Sequence, residues 1–124
     1  SSEIISLMNR VKPPYNVNVL SQRMVLEALQ NVKQKEAWVQ EIVTQRAWLM
    51  QEIKQFSFVE QVHPSDANFF LIQCAQPRKI YAYLVQQKII VRDRSTLDLI
   101  GGCLRITVGT KDENEALIQA LKKY

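Results

Sequence analysis

The chain has 124 residues, 47% of them hydrophobic and 23% charged, with 16 basic against 12 acidic side chains and a net charge of +4. That length suits one domain with a core of its own, and its apolar runs fall far short of the ~20 residues of a membrane helix. The mild positive charge is dispersed, without a basic run or aromatic-interleaved patch, which speaks against nucleic acid as a partner; two cysteines without a CxxC pair and a single histidine speak against a metal site.

The opening Ser1-Ser2-Glu3-Ile4-Ile5-Ser6 has no basic region ahead of a long apolar stretch, so no signal peptide is expected. The missing initiator Met suggests a chain that begins inside a longer one. Residues 3–10 set Ile4, Leu7 and Met8 at helical spacing, and Pro13 and Pro14 end that helix. Tyr15, Asn16, Val17 and Asn18 form an extended link. Tyr15 and Asn16 read as turn residues, and Asn18 as the N-cap of a helix over 19–31. A long helix over 33–56 carries Val39, Ile42, Val43, Leu49, Met50 and Ile53 on one stripe, with Arg46 inside it. Trp38 and Trp48 either widen its buried face or meet another domain.

Residues 58–63 alternate as a strand, and Pro64-Ser65-Asp66 turns the chain into a central strand over 67–75, dense in aromatic and branched residues. His63, beside that turn, is a turn residue or a ligand or acid–base group; no nucleophile or acidic partner adjoins it in sequence. Asn68, at the start of the central strand, reads as a turn-fixing residue. Pro77 suits the first turn of a helix over 78–87, followed by a strand over 88–92, a loop over 93–102 and a strand over 103–108. Thr110-Lys111-Asp112-Glu113 is a capping box opening the last helix, in which Leu117, Ala120, Leu121 and Tyr124 face inward. The pattern predicts an α+β fold: a small, mostly antiparallel sheet covered by helices on one side. Cys74 and Cys103 read as buried free thiols in a reducing cytosol.

The stretch from Val91 to Thr110 concentrates the chemistry. Leu104, Ile106 and Val108 point to one face of a strand and Cys103, Arg105 and Thr107 to the other. Arg105 is thereby fixed where its guanidinium fork can meet an anion, and Arg92 closes the preceding strand, so two forks can converge on one ligand. Asp93 and Asp98 offer the competing outcome, ordinary ion pairs.

Three motifs in order, Val11-Lys12-Pro13-Pro14-Tyr15-Asn16-Val17-Asn18, Ser65-Asp66-Ala67-Asn68-Phe69, and Arg92-Asp93-Arg94 followed by Gly102 to Thr110, resemble histidinol-phosphate aminotransferases, a branch of the fold-type I, pyridoxal-phosphate-dependent aminotransferases. The resemblance implies that residues 1–124 are a single domain, the C-terminal small domain, with 1–18 the link from a large domain. It implies a cytoplasmic homodimeric parent enzyme moving an amino group between glutamate and imidazole-acetol phosphate in histidine biosynthesis. Arg105 matches the arginine that grips the acidic end of the substrate, and Arg92 a second arginine at that end. Arg94 departs from the family pattern and reads as a solvent-side charge. Lys12, Tyr15, Asn16 and Asn18 match the link and imply domain closure or packing on the cofactor side. The Schiff-base lysine, the partner of the pyridine nitrogen and most phosphate ligands would lie in the large domain; no catalytic residue is expected here, and the chain alone should be inactive. Three alternatives stay open: a stand-alone α+β module binding a phosphate or carboxylate metabolite through Arg92 and Arg105, an interaction domain burying Trp38 or Trp48 against a partner, or an aminotransferase small domain serving another amino acid.

Overall fold

A computed structural model of the protein describes residues 1–12, 17–96 and 101–124. Its elements run α1 (Ser2–Val11), α2 (Val19–Ala28), α3 (Val32–Ile53), β1 (Val59–Val62), β2 (Phe69–Cys74), α4 (Pro77–Gln86), β3 (Arg92–Arg94), β4 (Cys103–Thr107) and α5 (Lys111–Lys123). The chain divides into two compact units, Ser1–Glu36 and Ala37–Tyr124.

In the first unit, Ser1 caps α1 and the Asn18 Oδ1 accepts the Ser21 N–H at 2.8 Å, so Asn18 is the N-cap of α2 as its sequence position predicts. The predicted helix over 19–31 is shorter: α2 ends at Ala28, and the Asn31 Oδ1 accepts the Gln34 N–H at 3.4 Å in the opening turn of α3. Asn31 serves the start of the next helix instead of continuing the last one. Neither α1 nor α2 has a buried residue.

The second unit is a four-stranded sheet in the order β1-β2-β4-β3, antiparallel at all three pairings. Strand alternation sends Phe70, Ile72 and Cys74 of β2 and Leu104 and Ile106 of β4 to one face. There they form a single core with Leu49 and Ile53 of α3, Ile80 and Leu84 of α4, and Leu117, Ile118 and Leu121 of α5. Helices thus cover one side of the sheet. Within the stripe of α3 only Leu49 and Ile53 are buried; Val39 and Val43 are exposed, as are Trp38 and Trp48 at 60% and 37%.

Two polar devices tie the helices to the sheet. Buried Asn114 accepts the Gly109 N–H and donates through Nδ2 to the Gly109 carbonyl, each at 3.0 Å, and donates to the Gln45 Oε1 at 3.1 Å. Thr110 and Glu113 form the predicted capping box at the start of α5.

The strand predicted over 88–92 is corrected. Helix α4 ends with the Lys88 N–H donating to the Val85 carbonyl and the Ile89 N–H to the Leu84 carbonyl, each at 2.9 Å, with Lys88 at φ 62°. This left-handed closure satisfies the last helical carbonyls and turns the chain. The strand therefore starts only at Arg92, which opens β3 rather than closing it.

Candidate functional site

The face of the sheet away from the core carries the arginines. Arg92 of β3 lies directly across from Arg105 of β4, and Arg105 in turn from Leu71 of β2. The two predicted guanidiniums therefore share a face and a row. Like charges directly opposite on antiparallel strands disfavour the fold by about 0.2–1 kcal/mol unless something of opposite sign joins them. Among the described residues the one ion pair is Lys111–Glu115 on α5, and no carboxylate meets either arginine. The local alternative, a pair with Asp93, is not formed. The Asp93 Oδ1 accepts the Ser95 N–H at 2.8 Å instead, and the Ser95 side chain and backbone hold this carboxyl below the usual carboxylate range. Asp98 lies outside the described residues.

Arg105 is half-buried, and its Nε is sealed from water without a hydrogen-bond partner among the described residues. Its Cζ stands 4.8 Å from the Phe69 ring centroid, a stacking worth about 0.5–1 kcal/mol that also fixes the plane of the fork. Buried donors are almost always satisfied, so an orphaned guanidinium N–H marks a place where an acceptor belongs. A planar cation, stacked and lacking an acceptor among the described residues, with a second arginine opposite it, has the donors that a carboxylate or a phosphate can accept from.

Two features of this face escape sequence reasoning. His63 donates its backbone N–H to the Leu71 carbonyl at 2.9 Å and continues the row of Leu71, Arg105 and Arg92; its Nε2 is also buried without a partner among the described residues. Arg94, read above as a solvent-side charge, pairs in register with Cys103 and so shares the face of Arg92 and Arg105. Alternation along 92–94 held the Arg94 signal, but only the pairing partner reveals which face that is.

The floor of the site is tight. Gly102 adopts φ +78°, and a Cβ there would meet the Cys74 carbonyl oxygen at 3.3 Å, so glycine is required where the chain enters β4. Cys103 is fully buried, and burial followed by the field of Glu60 pushes its thiol up. Cys74 is pushed up to about 11, first by burial and then by Cys103, Glu60 and Asp93. Both thiols are inert structural groups. Among the described residues no group of His, Cys, Asp and Glu is arranged to hold a metal, and no helix is long and apolar enough to cross a membrane. Of the remaining predicted site residues, Asn18 is the cap of α2, and Tyr15 and Asn16 lie outside the described residues.

A four-stranded antiparallel sheet backed by helices matches a known family. The sequence pattern of the family described as aminotransferase class I and II matches residues 1–121, and the chain belongs to that family. It is 49% identical over 124 residues to a histidinol-phosphate aminotransferase of Cytophaga hutchinsonii, covering all of this chain and 36% of that protein. Among solved structures it is similar to a candidate aminotransferase of Burkholderia pseudomallei, with 27% identity and a TM-score of 0.78 over the whole chain and 38% of the other. It also shares its fold with the histidinol-phosphate aminotransferase of Clostridium acetobutylicum, at 21% identity and a TM-score of 0.79 over 99% of this chain and 38% of that one. The chain thus spans a little over a third of the length of the relatives it matches.

Proposed function

We propose that residues 1–124 form the small domain of a histidinol-phosphate aminotransferase, a cytoplasmic homodimer that transfers an amino group between glutamate and imidazole-acetol phosphate, and that Arg105 and Arg92 hold the acidic end of each substrate. The observation that carries this reading is the Arg92–Arg105 pair with the Arg105 Nε buried and unpartnered. A fork accepts a carboxylate and a phosphate alike, which lets one pocket serve both halves of a two-substrate exchange. The 49% identity to the Cytophaga hutchinsonii enzyme supports the choice of substrate. Exposed Trp38 and Trp48 suit packing against the large domain, and Tyr15, Asn16 and Asn18 are assigned to domain closure.

The family's cofactor is pyridoxal phosphate, which supplies the electron sink for amino-group transfer. The residues of this chain do not fit it by themselves. Every lysine is exposed. At the start of α5, where a phosphate would otherwise find free N–H groups, the Glu113 carboxylate is already bonded to the Thr110 N–H at 2.8 Å. We assign the cofactor to the large domain and predict that the 124-residue chain alone does not transaminate.

The test pairs the longer protein containing this chain with the chain alone, each given pyridoxal phosphate, glutamate and imidazole-acetol phosphate. Activity in the long form, absent in the short form and reduced about a hundredfold by Arg105→Ala, is the expected result. An inactive long form would contradict the reading.

A further inference from the structure

The pairing of β3 with β4 places a third cation beside the arginine row. Arg94 lies opposite Cys103, two residues along β4 from Arg105, and alternation puts it on the same face as Arg92. It is half-buried, not the fully solvated charge expected of an edge strand. Asp93, the carboxylate nearest to it in sequence, is engaged by Ser95, and Glu60, whose field reaches Cys103, makes no ion pair among the described residues. Diagonal neighbours on adjacent strands stand about 7–8 Å apart, within reach of side chains as long as arginine. Three like charges gathered on one half-covered face, with no described carboxylate in an ion pair with any of them, exceed what a singly charged ligand neutralises.

We infer that Arg94 is a specificity-determining residue of the anion site, weighting it toward the doubly charged oxyanion of a phosphate monoester over a carboxylate. The inference rests on the proposed function and deepens it. At a given distance a dianion interacts with the added cation twice as strongly as a monoanion does. Removing the Arg94 charge therefore acts on the two half-reactions unequally, and the logarithm of the loss for the phosphate substrate is about twice that for glutamate. Arg92 and Arg105 take the oxyanion itself, and Arg94 supplies field from the side.

The test compares the full-length protein that carries this chain with its Arg94→Gln and Arg94→Lys variants at pH 8, where phosphate monoesters are dianions. Arg94→Gln is expected to lower kcat/KM for imidazole-acetol phosphate about tenfold and for glutamate about threefold. The loss should sit in KM, the melting temperature should be unchanged, and Arg94→Lys should recover most of the preference. Equal losses for both substrates, or none, overturn the inference while leaving the aminotransferase reading intact. If the wild-type protein does not transaminate, the proposed function fails and calorimetric binding of inorganic phosphate and of acetate decides. A larger loss of phosphate than of acetate affinity in Arg94→Gln sustains the role of Arg94, and unchanged phosphate affinity ends it.

Discussion

The two faces of this sheet differ in what they leave undone. On the core face every side chain of β2 and β4 finds apolar partners from α3, α4 and α5, and buried Asn114 is satisfied through both ends of its amide. On the other face, among the described residues, the Nε of Arg105 on β4 and the Nε2 of His63 just past β1 are buried without partners, and Arg92 of β3 stands opposite Arg105. One face is finished by this chain. The described residues leave the other unfinished, and functional sites are where such local conflict is expected.

That contrast can be broken from the core side first. Phe70→Ala empties the largest fully buried side chain next to Ile72 and Leu104 and should cost about 3–5 kcal/mol in urea unfolding, enough to endanger the fold. Arg105→Ala, one strand away on the opposite face, should leave unfolding nearly unchanged, because it removes an orphaned donor and a like-charge contact together. Asn114→Ala comes next. It strips the Gly109 N–H and carbonyl of their partners and should cost about 1–3 kcal/mol, whereas an exposed neighbour such as Glu115 should be nearly silent.

A smaller effect separates the faces by pH. The Asp93 carboxyl is depressed in the folded chain by Ser95, so its contribution is present above the unfolded carboxylate range and is lost as pH falls through the folded value. Stability measured from pH 5 downward should fall less steeply in Asp93→Asn than in the wild type. Because Asp93 stands exposed at the sheet edge, the difference should be slight.

The period-two pattern of β4 made its buried set and Arg105 readable in advance, since one strand's alternation fixes both faces at once. The order of elements and the capping box at Thr110 were equally plain, because caps and turns are local signals. What sequence could not reveal was register. The face that Arg94 shares with Arg105 depends on pairing with Cys103, and the place of His63 depends on pairing with Leu71. The start of β3 was misplaced for another reason: the Ile89-Ile90-Val91 run looks like a strand, yet the closure of α4 at Lys88 uses the backbone that would begin it. Ile90, in the middle of that run, is 74% exposed.

If the arginine face holds an oxyanion, Arg105 must respond to one in solution. Titrating inorganic phosphate into the isotope-labelled protein while following the Nε–Hε signal of each arginine by NMR tests it most directly. The expected result is saturable movement of the Arg105 signal with Arg92 beside it, loss of that movement in Arg92→Gln, and no response from exposed Arg23 on α2. An Arg105 signal that stays still, or drifts no more than that of Arg23, would contradict the claim.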